Sequence, residues 1–306
     1  VGIAAVVLAV LAFAQGAPCG ECRVQARRVM LCTEHATEET SVLREVRAVL
    51  AKGDEAERIV ALERAAALTA AHPQAPSPAV ARLLAGSVGD VSLRVRRKAL
   101  VLLAEGQNHE EAVRGVLDGW KEAQKTWRVL DAKLVLGESA SAGGAPVMLT
   151  TEELQETPDY LVEALRALGQ LGDERAVTAL ATFLRSPLDR TPGRFLVAAS
   201  EAALELDSRR GLESVIALLE NLEEAFVDGQ VPRRFETGGK DLLAALKQPL
   251  ENASEHDFAA TSEALEAYST RKGIELPRSE ERLTSADWRQ WQRAHKDAIP
   301  ERIPAR

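Results

Sequence analysis

Leu168-Gly169-Gln170-Leu171-Gly172-Asp173-Glu174-Arg175-Ala176-Val177-Thr178-Ala179-Leu180 decides the fold, because it belongs to a unit that recurs. An offset of 35 residues sets Leu161-Val162 on Leu196-Val197, Ala164 on Ala199 and Ala167 on Ala202. The same offset sets Leu171 on Leu206, Arg175 on Arg210, Val177 on Leu212 and Leu184 on Leu219, with no gap. A fixed period of this size marks a helical solenoid, in which stacked units bury a face that none can bury alone. The expected fold class is therefore all-α, an α-α superhelix with a helical C-terminal cap.

Composition supports that reading. Of 306 residues 46% are hydrophobic, too many for a disordered chain, and 27% are charged, enough for polar outer helix faces. Aromatics make up only 4%, so the core must be built from closely approaching small and aliphatic side chains. A net charge of −8 argues against nucleic acid as a partner, since phosphate contacts need a basic face. The basic run Arg94-Val95-Arg96-Arg97-Lys98 is a local exception that could meet an anionic partner.

Residues 1–18 carry no charged side chain. Their apolar run to Ala14 is shorter than the ~20 residues of a spanning helix, and Ala12-Phe13-Ala14 offers small residues suited to a signal peptidase. Residues 1–14 are read as a secretory signal peptide, although no basic n-region precedes the run. A buried helix, or an uncleaved anchor, is the competing reading. Cleavage would leave no membrane span, and the mature chain is expected in the periplasm or cell envelope.

All three cysteines, Cys19, Cys22 and Cys32, follow that segment. In an oxidising compartment a disulfide is expected, leaving one thiol over. Cys19 can pair with Cys22, or one of them can close the larger loop to Cys32. Redox chemistry would want a strand before the Cys-x-x-Cys, and none is visible. Covalent haem would want His where Arg23 stands. Zinc ligation by the cysteines with His35 has plausible spacing, but the segment is short. No metal or other cofactor is expected.

The rest reads almost wholly as helix at the 3.6 period. The expected organisation is a Cys-containing linker at 15–39, N-terminal helical repeats at 40–138, and a loop or insertion at 139–158. Repeats at 159–227 and a helical cap at 228–306 follow. One helix starts near Thr40, and a second is capped by Asp54. A long helix spans Ala112 to Leu136, with Lys125 the place where a break would fall. The 139–158 segment contains Ser-Ala-Gly-Gly-Ala-Pro and ends at Pro158, and 228–239 is a second irregular loop. Two helices, around Leu242–Leu250 and Phe258–Tyr268, precede a last one from about Ser285 to Lys296.

The line Leu-Gly-x-Leu-Gly-Asp-x-Arg-Ala-Val-x-x-Leu at 168–180 resembles the short HEAT-like repeat first associated with phycobilisome lyases, one of the HEAT and armadillo-like helical repeats. The resemblance covers 90–225 and, more loosely, 40–225. A degraded copy runs from Val95-Arg96 through Leu103 to Ala112-Val113, after Asp90. The copy at Asp207-Ser208-Arg209-Arg210-Gly211-Leu212 lacks the Leu-Gly, which puts its turn in question. Near the C-terminus, Trp288-Arg289-Gln290-Trp291 resembles the Trp-x-x-Trp ending of some bacterial HEAT-repeat proteins. The resemblance implies a helix–turn–helix unit whose first helix ends at the Leu-Gly and whose second begins at Arg-Ala-Val.

Within that unit Arg175 and Arg210 form a ladder, read as stitching between repeats or as a charged rim on the concave face. Trp288 and Trp291 cap the exposed end of the array, with ligand stacking as the alternative. No Gly-rich phosphate loop, His-Glu-x-x-His or Gly-x-Ser-x-Gly occurs, and the five histidines are scattered. The expected function is a non-enzymatic scaffold that binds protein partners. An enzyme accessory or lyase-like protein acting on a protein-bound substrate is the alternative.

Overall fold

The computed structural model describes residues 23–25, 28–30, 33–70, 77–105, 110–140, 149–185, 192–227, 240–277 and 283–303. Among these residues the chain forms eleven helices: α1 (Thr33–Lys52), α2 (Glu55–Ala70), α3 (Pro78–Ser87), α4 (Leu93–Glu105), α5 (Glu110–Ala140), α6 (Thr151–Gln170), α7 (Glu174–Arg185), α8 (Gly193–Glu205), α9 (Arg209–Val227), α10 (Lys240–Lys272) and α11 (Ser285–Ala294). One small ribbon precedes them, with β1 (Arg23–Gln25) antiparallel to β2 (Arg28–Met30) and Val24 opposite Val29. The expected linker at 15–39 thus contains a hairpin, and α1 begins at Thr33 rather than near Thr40. Residues 1–14, all three cysteines and the loop 228–239 lie outside the described residues.

The chain divides into two compact units, Val1–Ala167 and Leu168–Arg306. In the first, α1 pairs with α2, α2 packs on α3 and α4, α3 on α4 and α5, and α4 on α5. In the second the same alternation sets α7 on α9 and α8 on α10, with α8 against both α7 and α9. Contact with the next helix and the next but one is the packing of a solenoid, in which each hairpin rests on the one before. The core follows the 35-residue register. Leu171 and Leu206, Val177 and Leu212, Leu180 and Val215, and Leu184 and Leu219 are all buried.

The turn between paired helices explains why these residues repeat. Gly172 closes α6 in the left-handed region at φ 60°, where an L side chain is strained. One turn earlier, Gly169 lies so close to α8 that a Cβ there would sit 2.8 Å from the Ala202 Cα. In the following repeat the left-handed position is taken by Asp207, at φ 51°. The missing glycine therefore does not abolish the turn. Asp207 holds it by accepting from the Tyr268 hydroxyl at 2.9 Å and from Lys272 at 2.6 Å, both on α10. Ser208 replaces Asp173 as the cap and accepts from the Gly211 N–H at 3.1 Å.

Several boundaries differ from the sequence reading. The expected loop at 139–158 is shorter, because α5 runs unbroken past Lys125 to Ala140 and α6 begins at Thr151. Thr150 and Glu153 form a reciprocal capping box: the Glu153 N–H donates to the Thr150 hydroxyl and the Thr150 N–H to the Glu153 carboxylate, both at 3.0 Å. Pro158 lies inside α6. The two helices expected between Leu242 and Tyr268 are one, α10.

The C-terminal element departs from the repeat. Ser285 at the start of α11 donates its N–H to Glu223, and Arg289 makes a paired contact with Glu220 at 2.9 and 2.7 Å. Beyond the other end of α11, the Lys296 carbonyl accepts from Arg209, the first residue of α9. Helix α11 therefore runs antiparallel to α9, whereas α10 lies parallel to α8, with Asp257 at Gly193 and Arg271 at Leu204. The solenoid unit ends in a helix that has turned round.

Candidate interaction surface

The second helix of each repeat in the Leu168–Arg306 unit starts with an exposed arginine. Arg175 folds back onto its own turn: its Nε and Nη2 donate to Asp173 at 2.9 and 3.1 Å, and its backbone N–H donates at 2.8 Å. These bonds, the Arg175 side chain's first, hold the Asp173 carboxyl below the usual range against the opposing effect of burial. Arg210 reaches across to the preceding repeat and donates to the Thr178 hydroxyl at 3.0 Å. Arg210 thus supplies a stitch between α9 and α7. From Arg175 the exposed ridge of α7 continues through Thr178, Thr182 and Arg185. It is polar and mixed, with half-buried Ala179 beside it on α7.

The basic run at 94–98 is committed elsewhere. Arg94 Nε donates to Glu156 at 3.0 Å and Arg94 Nη1 to Glu55 at 3.4 Å. Arg97 donates to the other Glu156 oxygen at 2.8 Å and to Asp159 at 3.4 Å. Lys98 pairs with Glu63 at 2.5 Å, and Arg96 donates to the Asp90 carbonyl. The run is the middle rung of an ion ladder through α2, α4 and α6, so an anionic partner would have to break it. Its central acid, Glu156, falls in the segment read as a loop. Burial would raise the Glu156 pKa, but the hydrogen bonds from Arg94 and Arg97 outweigh it and hold the carboxyl below its ordinary value.

Trp288 and Trp291 are both buried, with ring centroids 5.5 Å apart in an edge-to-face contact. Trp288 donates its indole N–H to Ser262 on α10 at 3.0 Å, and Trp291 donates to the Glu275 carbonyl at 2.8 Å. Both rings are used in seating α11 within its unit. Tyr160 is the corresponding anchor in the first unit. Fully buried, it donates toward the Val88 and Gly119 carbonyls, and burial pushes its pKa up to about 12. Cys19, Cys22 and Cys32 lie outside the described residues and are not placed. Among the described residues no group of His, Cys, Asp and Glu is arranged to hold a metal ion. Among the same residues no helix is long and apolar enough to cross a membrane.

Sequence reasoning ended the last helix at about Lys296 and passed over residues 297–303. Beyond α11 this segment crosses the first turns of α9 and α7. The Pro300 carbonyl accepts from the Arg209 N–H at 2.8 Å, and the Ile303 N–H donates to Glu174 at 3.0 Å. Backbone groups make these contacts, so no side-chain pattern announced them.

Paired helices, left-handed turns and next-but-one packing define an α-solenoid of HEAT-like layers. Residues 161–186 match the family model of the PBS lyase HEAT-like repeat, which supports a HEAT-like repeat protein. No curated protein and no solved structure matches it.

Proposed function

We propose that this protein is a non-enzymatic scaffold of the periplasm or cell envelope that binds other proteins along the exposed ridge of its second helices. HEAT-like repeats often mediate protein interactions. The observation that carries the reading is the ridge Arg175, Thr178, Thr182 and Arg185 on α7. It is a regular row of polar side chains on a helix whose opposite face is locked into the stack by Val177, Leu180 and Leu184. A rigid polar row suits a partner that binds reversibly, since non-obligate interfaces are about as polar as the rest of a protein surface.

Affinity capture from an envelope fraction tests this, comparing the unaltered chain with Thr182→Glu and with Arg166→Glu. Arg166 is exposed on α6, where it pairs with Glu163. A partner retained by Arg166→Glu and lost by Thr182→Glu, at unchanged melting temperature, is the expected result. Capture indifferent to both substitutions would remove the ridge from the interface. Turnover of a protein-bound substrate by the purified chain would replace the scaffold reading with the enzymatic one.

A further inference from the structure

The edge made by the first turns of α7 and α9 already holds a ligand, which is the chain's own segment 298–303. Ile299 is 1% exposed, the Pro300 carbonyl accepts from the Arg209 N–H, and the Ile303 N–H donates to the Glu174 carboxylate. Arg209 also donates through Nη2 to the Lys296 carbonyl at 2.8 Å, which fixes where the segment enters. Between these two contacts the segment bends at Glu301 and Arg302, so that it leaves the start of α9 and reaches the start of α7.

Each contact is of a kind that a peptide from another molecule could make. The Arg209 N–H is one of the orphan donors at the start of a helix, and it asks only for a carbonyl. Glu174 asks only for a backbone N–H. The apolar site asks for one aliphatic side chain, and the proline after it fixes one backbone dihedral, so less entropy is left to lose. The sequence offers this element twice in succession, as Ile299-Pro300-Glu301-Arg302 and Ile303-Pro304-Ala305-Arg306.

We propose that this edge is a docking groove for peptides carrying an Ile-Pro step, and that residues 298–303 occupy it in cis as a detachable clasp. A partner with such a segment engages by displacing the clasp. This rests on the reading of the protein as an interaction scaffold and names the chemistry of the partner. It uses the helix starts rather than the α7 ridge.

The probe is a synthetic peptide of residues 295–306, titrated into the full chain and into Ile299→Asp and Ile299→Ala. The charged substitution ejects the buried side chain, and the alanine weakens its seat. Ile299→Asp is expected to bind the peptide saturably at one site, with Ile299→Ala intermediate and the unaltered chain at least about tenfold weaker than Ile299→Asp. The same peptide carrying aspartate at position 299 should bind no variant. Hydrogen exchange should quicken at the Arg209 amide while the middle of α9 stays protected. Folded variants that ignore the peptide would overturn the proposal. So would cooperative loss of α9 to α11 in both variants, because the segment would then be part of the core. The ridge substitution Thr182→Glu should leave peptide binding unchanged, so this test and the capture experiment fail independently.

Discussion

Asp207 occupies a backbone conformation that its repeat partner Gly172 adopts without strain, and two bonds to α10 hold it there. Left-handed backbone costs an L residue about 1–2 kcal/mol, whereas a net hydrogen bond to a charged group returns about 1.5–3 kcal/mol. Burial comes first in pushing the Tyr268 hydroxyl far above its ordinary pKa, and the bond to Asp207 adds to it, so the phenol stays a donor. Two substitutions separate the contributions. Asp207→Gly removes the bonds and relieves the backbone, while Asp207→Ala removes the bonds and keeps most of the strain. Both are expected to unfold at lower urea than the unaltered chain, with alanine lower than glycine by about 1 kcal/mol. Equal midpoints would mean that position 207 leaves the left-handed region once its side chain is shortened. The Leu168–Leu180 line was legible because such turn chemistry is local: a glycine, a capping acid and a stripe of aliphatics lie within one short window. Asp207 was less legible, since its reason for standing in a glycine's place is 61 residues away at Tyr268.

Helices α7 and α9 carry the stack, and the register between them is open to direct test. Leu180 and Val215 are fully buried at equivalent positions, while Arg185 is exposed in the last turn of α7. Leu180→Ala should destabilise the chain by about 2–5 kcal/mol, and Val215→Ala by less, since it removes fewer buried carbons. Arg185→Ala should cost at most about 0.3–1 kcal/mol, the value of a cation near a helix C-terminus. Thermal melts in which Leu180→Ala is as harmless as Arg185→Ala would displace the repeat alignment. At this scale the sequence misled mainly through punctuation. Gly143-Gly144 and Pro158 made 139–158 read as one long loop, yet Thr150 and Glu153 already spelled a capping box inside it. A proline removes one N–H from a helix. The first turns of α6 offset that loss through the bonds from Lys133 to Glu153 and from Arg94 and Arg97 to Glu156. Those partners lie far off in sequence, so periodicity alone could not show that the helix would tolerate Pro158. The contacts of the segment 297–303 were hidden for a different reason, since they use backbone carbonyls and N–H groups that nearly every residue carries.

Over the whole molecule, acid should loosen the fold through a small set of carboxylates in both units. In the Val1–Ala167 unit the hydrogen bond from Lys133 holds the Glu153 carboxyl low. For Glu156 the arginine bonds overcome an opposing burial effect. In the Leu168–Arg306 unit Asp173 is held low by Arg175, and Asp287 by the Thr284 hydroxyl and N–H. A carboxyl whose folded pKa lies below its unfolded value binds fewer protons in the folded state. Its contribution is fully present above the ordinary carboxylate range near about 4 and fades as pH falls through the folded value. No carboxyl of this set opposes folding between pH 5 and 7, so the urea midpoint should be level there and drop below about pH 4. Glu156→Gln tests the largest ladder. Glutamine keeps an acceptor for one arginine but cannot gain or lose the charge. The variant should therefore be weaker near pH 7, and the gap to the unaltered chain should narrow as the pH is lowered. A gap constant from pH 7 to pH 3 would show that Glu156 contributes through packing alone. The bonds from Arg94 and Arg97 would then add nothing that depends on its charge.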